Sequence, residues 1–209
     1  MQALLVLPGL GGGVRARARI RAWGEAQPFA VHVPDYHRRA GLDATVDALA
    51  AYIERHRLDR VHDLAAFCYV IGGWTLNRVL AARDLPGLRA VIYDRSPYQE
   101  RLAASFAARF AFFGWFRFGR LLRDFVDAPY PPLPTRAPRV GLMVEDRPTR
   151  LARILLPGDA PSLDPDLLGE RYDDAVTVPF DHDAMYTHFE DVVPQVLRFI
   201  RHGRFRPAG

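Results

Sequence analysis

Lysine is missing from this 209-residue chain, so all 28 of its basic side chains are arginine. The formal net charge is +4 and the pI about 9.6. The surplus is scattered. Its densest group (Arg15, Arg17, Arg19 and Arg21) alternates with Val, Ala and Ile, which reads as a solvated helix face rather than a nucleic-acid surface. Cysteine occurs once, at Cys68, which excludes an internal disulfide and a cysteine metal cluster. The histidines His32, His37, His62, His188 and His202 lack ligand spacing such as H-E-x-x-H, so neither a metal nor a cofactor is expected. Long apolar runs are missing too. None reaches the roughly 18 residues of a membrane span, and Met1 to Leu10 is too short, and lacks the basic start, for a signal peptide. The expectation is a soluble protein of a reducing compartment, most simply the cytoplasm. What is present is a globular balance, 49% hydrophobic and 25% charged, enough for one well-packed domain over residues 1–209 and short for two.

Short apolar runs alternate with helical patterns. Ala3 to Leu7 predicts a buried strand, ended by the loop Pro8-Gly9-Leu10-Gly11-Gly12-Gly13. Arg15 to Gln27 predicts a helix, Phe29 to Val33 a strand. Leu42 to Arg55 predicts a helix with Leu42, Val46, Leu49, Ala50 and Ile53 on one face. Leu88 to Tyr93 reads as a strand running into the turn Asp94-Arg95-Ser96-Pro97. Val140 to Glu145 and Ala175 to Val178 are further strands, Ile154-Leu155-Leu156 a short apolar run, and Phe189 to Arg201 the closing helix. Strand–helix alternation with short connections implies an α/β fold, a mostly parallel sheet with helices on both faces. Ligands of such sheets bind at the carboxyl ends of the strands.

The stretch from Asp63 to Leu80 organises the chain. An apolar run, Leu64 to Val70, meets Gly72-Gly73, and a helical pattern follows at once through Trp74, Leu76, Val79 and Leu80. Strand, sharp turn, helix is the layout of a nucleophile elbow, which reads G-x-S-x-G. With Gly72 on the last glycine, Val70 stands where the serine belongs and Cys68 where the first glycine belongs. Val70 has no atom that can attack a carbonyl. A shift of register recruits Cys68 instead, but the flanks A-F-C-Y-V lack the turn's glycines, and a buried strand cysteine is the simpler reading. Ser96 lies in a turn before proline, not in an elbow.

Downstream, Asp159 follows Pro157-Gly158, and His182 follows the last strand. Elbow, acid, histidine is the order of a hydrolase triad on an α/β sheet. A His182–Asp159 pair serves either as a general base on water or on a substrate proton, or as a polar contact that fixes two loops. At the first loop, glycines let the backbone approach a ligand. Gly9, Leu10 and Ile71 are the N–H donors in reach of a developing oxyanion, the alternative being a flexible turn.

These segments together resemble the bacterial lipase and esterase branch of the α/β-hydrolase superfamily, nearly end to end. Ala66 to Leu80 is similar to its elbow and following helix, including Arg78 and Leu80. Leu88 to Gln99 resembles its next strand and Pro-x-Gln turn, and Gly158-Asp159 its acid turn. His182 to Phe205 resembles its catalytic-histidine turn and terminal helix with a basic-Gly-basic-Phe ending. The resemblance implies an α/β-hydrolase fold. It implies Val70 as a substituted nucleophile, and Pro8-Gly9 in place of the family's His-Gly dipeptide.

Leu102 to Val126 departs from the alternation, with Leu102, Phe106, Phe110, Phe113 and Phe116 at helical spacing and Gly114 and Gly119 as breaks. It reads as a small helical cap at about residues 100–128, in competition with a membrane-surface segment led by Phe106 to Phe125 and with ordinary core. The reading as a whole is a pseudo-hydrolase that binds an apolar or acyl ligand, or a protein partner. The alternative is an active ester hydrolase acting through Cys68 or through water activated by His182 and Asp159.

Overall fold

The computed structural model describes residues 1–10, 12–99, 102, 118–127, 139–156 and 172–205. Their strands are β1 (Ala3–Leu7), β2 (Ala30–His32), β3 (Leu64–Tyr69), β4 (Leu88–Arg95), β5 (Val140–Glu145) and β6 (Asp174–Val178). They form one parallel sheet in the order β2-β1-β3-β4-β5-β6. The central strands β1 and β3 are buried along their whole length. That is why they read as continuous apolar runs rather than as alternation.

The helices are α1 (Val14–Glu25), α2 (Leu42–Arg55), α3 (Ile71–Ala82), α4 (Arg120–Asp127), α5 (Arg150–Leu155), α6 (His182–Thr187) and α7 (Phe189–His202). Alternate residues of each strand point to opposite faces, and two core layers result. On one, Val6, Phe67, Tyr69, Ile92 and Met143 pack against Ile20 of α1 and Phe189, Val192, Val196 and Phe199 of α7. On the other, Leu5, Leu7, Ala66, Cys68 and Tyr93 pack against Leu49 and Ile53 of α2 and Leu76 and Val79 of α3. Each such buried Leu, Ile, Val or Phe side chain contributes roughly 1.5–3 kcal/mol relative to exposure.

One expectation from the sequence needs correction. β4 runs on to Arg95, past the expected end at Tyr93, because Asp94 and Arg95 pair with Met143 and Val144 of β5. Their charges had suggested a turn, yet both are buried. The apolar run at Ile154 lies in and just after α5, started by Thr149, whose hydroxyl accepts from the Ala152 N–H at 3.2 Å. Ile154 itself is exposed.

Most of the expected cap lies outside the described residues, as does most of the Phe106–Phe125 segment. Within it, Gly119 has φ +63°, the break expected there, and α4 follows. Leu121 packs with Leu42, Ile71 and Trp74, and the Phe125 ring stands 4.8 Å from that of Trp74. Among the described residues no helix is long and apolar enough to cross a membrane.

Candidate functional site

The carboxyl ends of β1, β3, β4, β5 and β6 converge on one region. β3 ends at Tyr69, Val70 makes the turn, and α3 starts at Ile71. Gly72 fixes the register of this elbow. A Cβ there would lie 2.3 Å from the backbone oxygen of Leu7, so only glycine lets α3 pack this close to β1. The residue at the turn itself, two before Gly72, is Val70, buried, with φ 16° and ψ −90°. Its N–H donates to the Asp94 backbone oxygen at 3.0 Å, and its own oxygen accepts from Gly73 and Trp74 in the first turn of α3.

His182 opens α6 directly after β6. The helix is capped by Asp181, whose side chain accepts from the Ala184 N–H at 2.8 Å. This cap sets where the imidazole emerges. The ring is buried, and its Nδ1 lies 2.7 Å from Glu145 Oε1 and 3.9 Å from Asp94 Oδ2. A carboxylate accepts, so Nδ1–H donates to Glu145 and the neutral ring keeps its lone pair on Nε2. Burial holds the imidazole below its usual pKa, while the Asp94 carboxylate pulls the other way. Nε2 lies 3.5 Å from the point a Cβ on Gly9 would occupy. The basic nitrogen therefore faces the loop after β1.

That loop closes on a residue to which sequence reasoning gave no role. The Gly9 N–H donates to the Tyr186 hydroxyl at 2.8 Å. A side chain on Gly9 would meet the Tyr186 oxygen at 3.0 Å, and one on Gly12 would meet Pro8 Cβ at 2.5 Å and the Tyr186 ring at 3.2 Å. Gly9 and Gly12 make room for Tyr186. Among the described residues nothing accepts a hydrogen bond from the N–H of Leu10 or Ile71, while Gly9's is already engaged.

Of the residues singled out in the sequence, Val70, Gly9, Leu10, Ile71 and His182 come together at this end of the sheet. Leu10 and Ile71 pack side by side with Trp74. Cys68 does not join them. It is fully buried in the α2–α3 layer, one residue out of phase with Tyr69, and burial pushes its thiol well above the ordinary range. Asp159 lies outside the described residues. Glu145 and Asp94 were not anticipated as site residues. Asp94 read as the first residue of a turn and Glu145 as an ordinary polar strand end, and the available signal was a carboxylate closing an otherwise apolar run. Asp94, Glu145 and His182 offer donor atoms within 4.8 Å of one another. The 2.7 Å contact between Nδ1 and Oε1 fits a shared proton better than an ion between them.

No protein-family model matches the chain and no curated protein matches it significantly. Solved structures do. The chain is similar to tomato Methylketone Synthase I complexed with 2-tridecanone, with TM-score 0.62 at 10% identity, covering 96% of this chain and 98% of that one. It is similar to a bromoperoxidase from Bacillus anthracis, with TM-score 0.58 at 10% identity, covering 96% and 92%. A marine microorganism esterase gives TM-score 0.56 at 13% identity, covering 95% of each chain.

Proposed function

From its α/β-hydrolase fold, we propose that this chain binds an apolar ligand carrying an acyl or other carbonyl group and does not form an acyl-enzyme. The observation that carries this reading is Val70 at the turn between β3 and α3, where Gly72 packs against Leu7. The closeness of Gly9 to Tyr186 supports it, since a backbone donor facing the site is engaged within the protein. The similarity to a ketone-bound synthase and an esterase agrees with a carbonyl ligand. A protein partner at the same end of the sheet is the variant without a small molecule.

A second reading is favoured by the Glu145–His182 contact at 2.7 Å. His182, oriented through Nδ1 and neutral, is able to take a proton from water or from the bound ligand at Nε2. That would give hydrolysis or proton transfer without a covalent intermediate. Cys68 is set aside on its burial, and Asp159 is not needed for the pair.

The test is ester hydrolysis across acyl chain lengths by the natural protein, Val70→Ser and His182→Ala. The expected result is an inert natural protein and a Val70→Ser variant that turns over, losing roughly 100-fold or more when His182→Ala is added. Turnover by the natural protein that His182→Ala abolishes selects the second reading. A covalent acyl adduct on the natural protein overturns both.

A further inference from the structure

Tyr186 stands at the meeting point of three features. Its hydroxyl accepts from the Gly9 N–H at 2.8 Å. Its ring stacks on Tyr69 at 4.4 Å and meets the His182 ring edge-on at 5.3 Å. It also lines an open cleft of about 600 Å³ together with Gly13, Arg15, Ala16, Arg19, Asp183 and Thr187. That volume falls within the roughly 300–1,000 Å³ of small-molecule pockets. The ring thus borders both the cleft and the Gly9–His182 site.

A phenol has one proton to donate and lone pairs to accept with. In Tyr186 a lone pair is engaged by Gly9. Among the described residues nothing accepts the proton, although the side chain is buried. Burial raises its pKa well above the ordinary value, so the group is a protonated donor and not a nucleophile. Accepting from an amide polarises a hydroxyl and strengthens its own O–H as a donor. Gly9 N–H and Tyr186 O–H form such a chain. The Tyr186 oxygen and His182 Nε2 lie 3.0 and 3.5 Å from the same point, the position of a Cβ on Gly9. A donor and a base therefore converge over a glycine, with Val70 offering nothing polar at the elbow.

We propose that Tyr186 is the group that grips the ligand: its hydroxyl, aligned by Gly9, donates to the carbonyl oxygen of an apolar ketone, ester or thioester beside His182 Nε2. The donor expected of the glycine loop is relayed one group further into the site. This rests on the reading that the site takes a carbonyl ligand, and it names the residue that recognises that carbonyl.

The probe is 2-tridecanone labelled with ¹³C at its carbonyl. Binding is followed by calorimetry, and the carbonyl stretch of the bound probe by infrared difference spectroscopy. In the natural protein the stretch is expected below its value in a hydrocarbon solvent. In Tyr186→Phe the lowering is lost while the probe still binds. Loss of the Gly9 contact can disturb the loop, so fluorinated tyrosine placed at position 186 gives a second measurement. A more acidic phenol keeps the fold and moves the stretch lower still, which a purely structural role would not do. An unshifted carbonyl in the natural protein, or a stretch unchanged by both substitutions, overturns the proposal. So does failure of the probe to bind. Esterase gain by Val70→Ser is independent of that outcome and would leave the pocket reading standing.

Discussion

At the scale of single residues, the proposed function turns on position 70. On the proposed reading a valine there leaves the turn without a nucleophile, and Cys68 does not supply one. Cys68 is the test case. Its thiol is buried and its pKa raised, and a thiolate is the reactive form. A thiol reagent is expected to leave the native protein unmodified and to label Cys68 fully once the chain is unfolded, as read by mass spectrometry. Rapid labelling under native conditions would restore the cysteine route. The positions of Val70 at the strand–helix turn and of His182 after the last strand were legible in the sequence, because such turns are local patterns. Glu145, Asp94 and Tyr186 were not. Their roles come from strands and a helix that lie far apart in the chain and meet only in the fold, and no local spacing marks such a meeting.

At the scale of elements, the parallel strands were read nearly to the residue, because each is an apolar run bounded by breakers. The helix Leu42–Arg55 was read to the residue for its periodicity. The end of β4 was missed because Asp94 and Arg95 are charged and buried at once. The elbow is held by packing between elements. Gly72→Ala drives a methyl group against the Leu7 backbone, which cannot yield as a flexible side chain can. A loss of about 2 kcal/mol is expected in denaturant unfolding. A neutral result would mean that α3 is able to slide away from β1, and that the register of the elbow is not fixed in this way.

Among the described residues, the imidazoles of half-buried His37 and buried His182 give the molecule a pH response. Burial, with Arg17 beside it, lowers the pKa of His37 to about 4, and His182 is lowered as well. In the unfolded chain both titrate near 6.5. As pH falls below that value, the unfolded state takes up protons that the folded state refuses. Stability therefore declines between pH 6.5 and 4 and levels off once His37 titrates in the folded state. His37 alone accounts for roughly 3 kcal/mol across that window. Equilibrium unfolding at intervals through this range checks the sign. His37→Gln is expected to flatten the curve, and a slope unchanged by that substitution would place its origin elsewhere.

The contact between Gly72 and Leu7 has one more consequence. The bend of the chain at the elbow is moulded by β1 and α3, not by the occupant of the bend. A different side chain at position 70 is therefore expected to leave the bend as it is. Position 70 is a socket, and the rest of the molecule is the fitting that keeps it open to whatever side chain is next installed.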